Sequence, residues 1–283
     1  MAHESQVRYA SLVDAKLRHT LVKKDGVFFN TRYQGDPKAG SVKIPVRDTE
    51  VSIQAYDKAN GVEGTNGSTS YLTMLIDKDY AVNEIIDGFD AASVPDNLVA
   101  DRLDSAGYSM ALQQEQDATT CLEAAATTFG DTTALTADTI YDQLVAVRTA
   151  MTKAKVPNDG KRWVDLSPDA YALVLKDTDH FVRASDLGDA VVQTGAVGKI
   201  AGLLVFEDTT LSETTDFIAG HPNWCHHVNE WAVGVHVQDI SGSGKYIGAS
   251  AVQGRNVYGY KVSKPATLFI KKHAASSSGG GST

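Results

Sequence analysis

The densest group of reactive side chains in this 283-residue chain is GHPNWCHHVNEW, residues 220–231, which holds His221, Cys225, His226 and His227. Imidazole and thiolate are good zinc ligands, so the cluster raises the prospect of an α/β metal-dependent enzyme. The spacing argues against it. A structural zinc site needs four convergent ligands, no CxxC or HxxxH pair is present, and adjacent histidines leave the backbone in different directions. Ser167, Asp165 and His180 are the residue types of a hydrolytic triad, but no serine lies in a G-x-S-x-G elbow. Gly61, Gly64 and Gly67 do not match a phosphate loop, and GAVGKIAG (195–202) has the wrong spacing for a dinucleotide fingerprint. Asn66-Gly-Ser reads as a turn. No catalytic residue, cofactor or metal is expected.

Charge gives a stronger lead. Residues 95–128 (PDNLVADRLDSAGYSMALQQEQDATTCLEAAATT) carry six acids, Asp96, Asp101, Asp104, Glu115, Asp117 and Glu123, against one base, Arg102. The stretch is rich in Ala, Leu, Gln and Glu, and Gly107 is its lone glycine, so it reads as one helix. Ser93 or Asp96 can cap it, and Pro95 suits its first turn. A continuous helix there is about 50 Å long. Residues 2–24 are weakly amphipathic and basic, with Arg8, Lys16, Arg18, Lys23 and Lys24 against Glu4 and Asp14, and read as a helix or arm.

The remaining elements frame this helix. Residues 41–46 and 49–55 alternate as short strands, 59–70 form a glycine-rich tip, and 71–77 form a third strand. Residues 37–80 thus read as a long β-hairpin, too long to be stable unless it lies on something else. Residues 80–90 have apolar spacing that ends at Gly88. Thr136 or Asp138 opens a second helix with Ile140, Leu144, Val147 and Met151 inward, stopped by Pro157. RWVDLS (162–167) is a buried strand, and Ser167 or Asp169 caps a helix after it. LLVFEDTTL and DFIAG add strands or short elements, 221–240 mix His, Trp and apolar groups, and 250–272 hold two strands. AASSSGGGST is a tail.

Composition narrows the class. The net charge of −9 and pI near 5.3 argue against a whole-surface nucleic-acid binder, and 42% hydrophobic residues suffice for a large core. No run of 18 apolar residues is present, so no membrane contact is expected. The N-terminus lacks the apolar stretch of a secretory signal, and two cysteines make no disulfide framework.

The order of these pieces resembles the major capsid (coat) proteins of tailed phages, the Hong Kong 97-like fold that encapsulins also use. SVKIPVRDTEVSIQAYDK with LTMLIDKDYAVNEIIDGFDAAS is similar to the family's extended loop and its return. DNLVADRLDSAGYSMALQQEQDA is similar to its spine helix, VPNDGKRWVDLSPDAYALVLKD to the start of its axial domain, and VGKIAGLLVFEDTTL to a strand pair within that domain. The resemblance covers residues 1–272. It implies an α+β fold with an N-terminal arm (1–36), an extended loop (37–80), a peripheral domain (81–156 and 255–272) with its spine helix at 95–128, an axial domain (157–254) and a flexible tail (273–283). It also implies a structural protein, synthesised in the host cytoplasm, that self-assembles into an icosahedral virion capsid of hexamers and pentamers around double-stranded DNA without sequence specificity. The implied partners are a separate scaffolding protein, a portal and a decoration protein. An encapsulin-like shell holding enzyme cargo is the alternative. Some members crosslink a loop lysine to a neighbour's asparagine; Lys58 and Asn256 are available, though no pattern requires them. The expected inter-subunit contacts are Lys43, Arg47, Lys58 and Asn66 of the loop and Asp101, Asp104 and Glu115 of the spine, with a neighbour's basic hairpin laid over the acidic helix.

Overall fold

The computed structural model describes residues 16–36, 39–47, 50–64, 66–93, 97–176, 182–183 and 196–274. The tail from 275 onward, the proline and aspartate at 95 and 96, and His180 lie outside them. Strands β1 (Ser41–Val46), β2 (Ser70–Leu75) and β3 (Lys78–Ile86) lead into a short helix α1 (Gly88–Ser93) and the long helix α2 (Leu98–Ala125). Then follow β4 (Thr127–Thr128), α3 (Ile140–Lys153), β5 (Trp163–Leu166), α4 (Pro168–Lys176), β6 (Val182–Arg183), β7 (Gly198–Ile200), β8 (Leu203–Glu207) and β9 (Thr215–Gly220). The chain closes with β10 (Cys225–Asp239), β11 (Ser250–Val262) and β12 (Phe269–Lys272).

The strands form a two-stranded ribbon β1-β2, a three-stranded sheet β10-β11-β3 and a seven-stranded sheet β4-β12-β9-β5-β8-β7-β6. The seven-stranded sheet is buried on both faces, and strand alternation assigns its side chains. Val164, Leu166, Val205, Phe217 and Ala219 meet α3 and α4. Trp163, Phe206 and Ile218 meet Phe28, Phe29 and the end of α2 at Leu122. α3 turns Ile140, Leu144, Val147 and Met151 inward, the set its spacing dictates. The Ser167 hydroxyl accepts the Ala170 N–H at 3.3 Å and so caps α4.

Helix α2 bridges the two larger sheets. Its first half packs Leu98, Val99, Leu103 and Ala106 against Ile86 of β3 and Val252 of β11, while Ala118 and Leu122 enter the main core. At 28 residues it is about 42 Å long, shorter at both ends than the sequence suggests. Its cap is Asn97, whose side chain accepts from the Ala100 N–H, in place of Ser93 or Asp96. Ala126 turns extended, because Thr127 and Phe129 donate to the Leu268 and Ile270 carbonyls of the sheet edge.

The hairpin reading is corrected in its middle. β1 pairs with β2, from Ser41 opposite Leu75 to Val46 opposite Ser70. Residues 50–56 join no strand, since nothing among the described residues pairs with them. Residues 80–86, with apolar spacing in the sequence, belong to β3 on the edge of the three-stranded sheet. The 221–240 stretch yields the longest described strand, β10, whose alternation is broken by shifts between Asn229 and Trp231 and between Val233 and His236. The division at 254/255 falls inside β11, and β12, grouped with the spine on sequence, lies in the seven-stranded sheet.

Candidate functional site

The four residues of the zinc-like cluster go to separate tasks. The His221 Nε2 lies 3.0 Å from Asp159 Oδ1, and its Nδ1 accepts the Asn223 N–H. The Cys225 thiol is buried, and burial pushes it far up. His226 sits between Asn30 Oδ1 and Ser263 Oγ, 2.9 Å from each. His227 Nδ1 lies 2.9 Å from Asp25, and its ring stacks on Tyr260 at 4.6 Å. Among the described residues no group of three or more His, Cys, Asp and Glu converges as a metal site. These side chains tie residues 25–30 to β10 and β11.

Burial and the nearby Arg32 depress His226 to about 4, from 6.5. The unfolded chain therefore takes up a proton between pH 6.5 and 4 that the folded chain refuses. Stability from this group is intact above pH 6.5 and is lost as the pH falls through that window. His226→Gln is expected to flatten the acid limb of a stability-against-pH curve from urea melts, by up to about 1.4 kcal/mol per pH unit.

The acidic helix finds its counter-charges within the chain. Residues 16–22 run along α2 in the same direction. Lys16 Nζ lies 2.7 Å from Asp101, Arg18 pairs with Asp104 and covers the Tyr108 ring, and the Val22 N–H donates to both oxygens of Glu115 at 2.8 and 3.1 Å. The lengths agree: six extended residues and fourteen helical residues both span about 20 Å. Burial raises the Glu115 pKa against the pull of the Val22 N–H. Asp117 accepts from Tyr258 Oη at 2.8 Å, and Glu123 accepts from the Ser212 N–H at 2.8 Å. Arg102 forks onto Glu84 of β3, with both bonds at 2.8 Å. The sequence reading laid a neighbour's hairpin over Asp101, Asp104 and Glu115; within this chain its own arm already contacts all three. The signal was present in the sequence as cations two apart, Lys16 and Arg18, matching acids three apart, Asp101 and Asp104. Two extended residues advance about 6.6 Å and three helical residues about 4.5 Å, a difference that long cationic side chains bridge.

The loop candidates Lys43, Arg47, Lys58 and Asn66 are all exposed. Within the loop that joins β1 to β2, residues 47–69, Asp57 organises a local turn. It accepts from the Ala59 N–H and the Asn60 side chain at 2.9 and 2.7 Å, and Gly61 closes the turn with φ +72°. The flanks carry Val51, Ile53 and Tyr56 at 88%, 99% and 75% exposure. Large apolar side chains this uncovered make the loop a candidate interaction surface. The base of this ribbon is fixed instead: Ile44 and Met74 are buried with Val228 of β10. Asn256, the other half of the crosslink pair, sits in the middle of β11 with its side-chain oxygen buried.

A family model described as "Phage capsid protein" matches residues 84–270. Among solved structures, one from Mycobacterium phage Che8 is 20% identical, with TM-score 0.74, covering 94% of this chain and 96% of the other. A capsid structure of the cyanophage P-SCSP1u is 15% identical, with TM-score 0.74 and coverages of 95% and 93%. The capsid of a native GTA particle is 13% identical, with TM-score 0.68, and each chain is covered to 96%. These likenesses establish the Hong Kong 97-like fold. No curated protein matches.

Proposed function

Because the chain belongs to the phage capsid protein family, we propose that its uncovered loop, residues 47–69, is the surface that each copy lays against the next in a closed shell. The protein is a structural major capsid protein of the tailed-phage type, at home in the virion. It assembles with other copies of itself into an icosahedral head. One observation carries the loop reading: Val51, Ile53 and Tyr56 stand clear of the chain on a segment with a firmly packed base. Covering side chains of this size gains about 1.5–3 kcal/mol each, enough to drive association when repeated around a ring.

The finer picture follows from the same surfaces. Rings of six and five copies require a contact that tolerates two curvatures, and a loop hinged at β1 and β2 meets that need. The net charge of −9 makes contact with double-stranded DNA weak and independent of sequence, carried by local basic patches. A scaffolding protein, a portal and a decoration protein complete the proposed partners, with synthesis in the host cytoplasm. Among the described residues no helix is long and apolar enough to cross a membrane. The strand pairings favour a peripheral part of β3, α1, α2, β10 and β11, and an axial part of the seven-stranded sheet with α3 and α4. Electron microscopy of the purified chain, with and without co-expressed scaffold, is expected to show shells, tubes or rings. A monomer under both conditions would overturn the proposal.

A further inference from the structure

Lys23 departs from the pattern of the arm. Lys16 and Arg18 pair near the surface, but the Lys23 side chain is wholly buried, as are those of Asp165 and Asp208. Its Nζ lies 2.9 Å from Asp165 Oδ2 and touches Asp208 Oδ2. Strand alternation explains the meeting. On the parallel neighbours β5 and β8, Trp163 and Asp165 share a face with Leu204 and Phe206, and Asp208 follows in the same phase. The surroundings are dry and aromatic: the Phe28 ring lies 5.8 Å from Nζ and packs on Trp163 and Phe206 at 4.6 and 4.7 Å.

Two buried carboxylates facing one ammonium leave an uncompensated charge unless one keeps its proton. Asp165 keeps it. Burial, aided by the neighbouring Asp208, pushes Asp165 up to about 7 against the pull of Lys23. The two carboxylates, in turn, outweigh burial and raise Lys23. Asp208 is held in one orientation, with Oδ1 accepting the Thr210 N–H at 2.7 Å and Oδ2 accepting the Thr210 hydroxyl at 2.8 Å. The Asp165 Oδ1 atom is buried without a hydrogen-bond partner among the described residues.

We propose that Lys23 and Asp208 condense into an intramolecular isopeptide bond, with Asp165 relaying the protons, so that the arm is covalently fastened beyond β8. A proton passes from the Lys23 ammonium to the carboxyl cluster, and the freed amine lone pair attacks Asp208 Cγ. The new N–C bond forms as the C=O electrons move onto Oδ1, where the Thr210 N–H stabilises the oxyanion. The electrons return, the C–Oδ2 bond breaks, and Oδ2 leaves as water. Of the three ammonium protons, one stays on the amide nitrogen and two leave in the water; Asp165 ends protonated, as it began. Lys–NH3⁺ and Asp–COO⁻ thus give an amide and water, with no oxidant, metal or other reactant. Fixed contact between amine and carboxyl supplies the proximity, and the dry pocket favours the uncharged product over the ion pair.

The test is the intact mass of the full chain, recovered folded and measured denatured, with protease mapping. The expected result is a mass lower by one water and a branched peptide joining Lys23 to Asp208. Lys23→Arg keeps the charge but forms no such bond, and is expected to restore the full mass. Asp165→Asn removes the proton relay and is expected to slow bond formation about 100-fold or more. Wild-type protein of full mass overturns the proposal. So does a water loss that persists in Lys23→Arg, which marks ring closure at an Asp-Gly step such as Asp25-Gly26. If Lys23→Arg fails to fold, the wild-type mass and the branched peptide decide by themselves.

Discussion

Replacing residues 47–69 with a short turn is expected to leave a folded protomer that builds no shell. Val46 and Ser70 are direct partners across the ribbon, so a tight turn closes the gap without strain. The buried base, Ile44 and Met74 against Val228, is untouched, and no residue of 50–56 pairs with a described strand. Thermal melting should therefore stay within a few degrees of the wild type. Assembly should not survive, because the deletion removes Val51, Ile53 and Tyr56, whose burial is worth about 1.5–3 kcal/mol each per contact. A milder version, Ile53→Asp, should raise the concentration needed for assembly at least tenfold by light scattering, since about 1.4 kcal/mol suffices for that factor. Normal shells from the loop-deleted chain would show that the interface lies elsewhere.

Lys23→Met is expected to be the most damaging single change in the arm. It leaves the wholly buried Asp208 carboxylate without its lysine partner, and stranding a buried charge typically costs about 3–5 kcal/mol. Urea unfolding of the protomer reads the loss directly. The double change Lys23→Met with Asp165→Leu should recover part of it, because an apolar pair in an apolar setting avoids the desolvation cost. The surface pair Lys16–Asp101 gives a contrasting case: both side chains remain about one-third exposed, and Lys16→Met should have a small effect that salt diminishes.

The same cluster sets a pH dependence opposite to that of His226. The folded chain keeps a proton on Asp165 up to about pH 7, whereas the unfolded carboxyl releases it near 3.8. The folded state binds the extra proton across that window, so stability from Asp165 falls as pH rises from about 4 to 7. His226 acts the other way between 4 and 6.5. The two slopes offset one another in the wild type, and the single variants Asp165→Asn and His226→Gln should separate them.

Several elements could be read before the structure because their information is local. The helix at α3 follows from four apolar residues at helical spacing, all four buried as expected. β1, β5 and α4 follow from short runs bounded by turn residues, and α2 from a long stretch of helix formers. The family was legible too, since the order of the pieces carries the resemblance, and the family match over residues 84–270 bears that resemblance out.

What the tertiary structure alone decided is what depends on two distant segments. β10 looked irregular because its bulges break the two-residue period that makes a strand legible, and only pairing with β11 holds it extended. The spine's acids gave a surplus of charge but not its partner: extended arm and helix advance at matching lengths, so the arm runs along α2 and takes up Asp101, Asp104 and Glu115. Lys23, Asp165 and Asp208 are ordinary charged residues in the sequence, with the lysine more than 140 positions from either acid. They become a dry, coupled cluster only because β5 lies parallel to β8 and the arm crosses their common face. Composition and local period set the elements and their order; burial of one element against another set which charges meet.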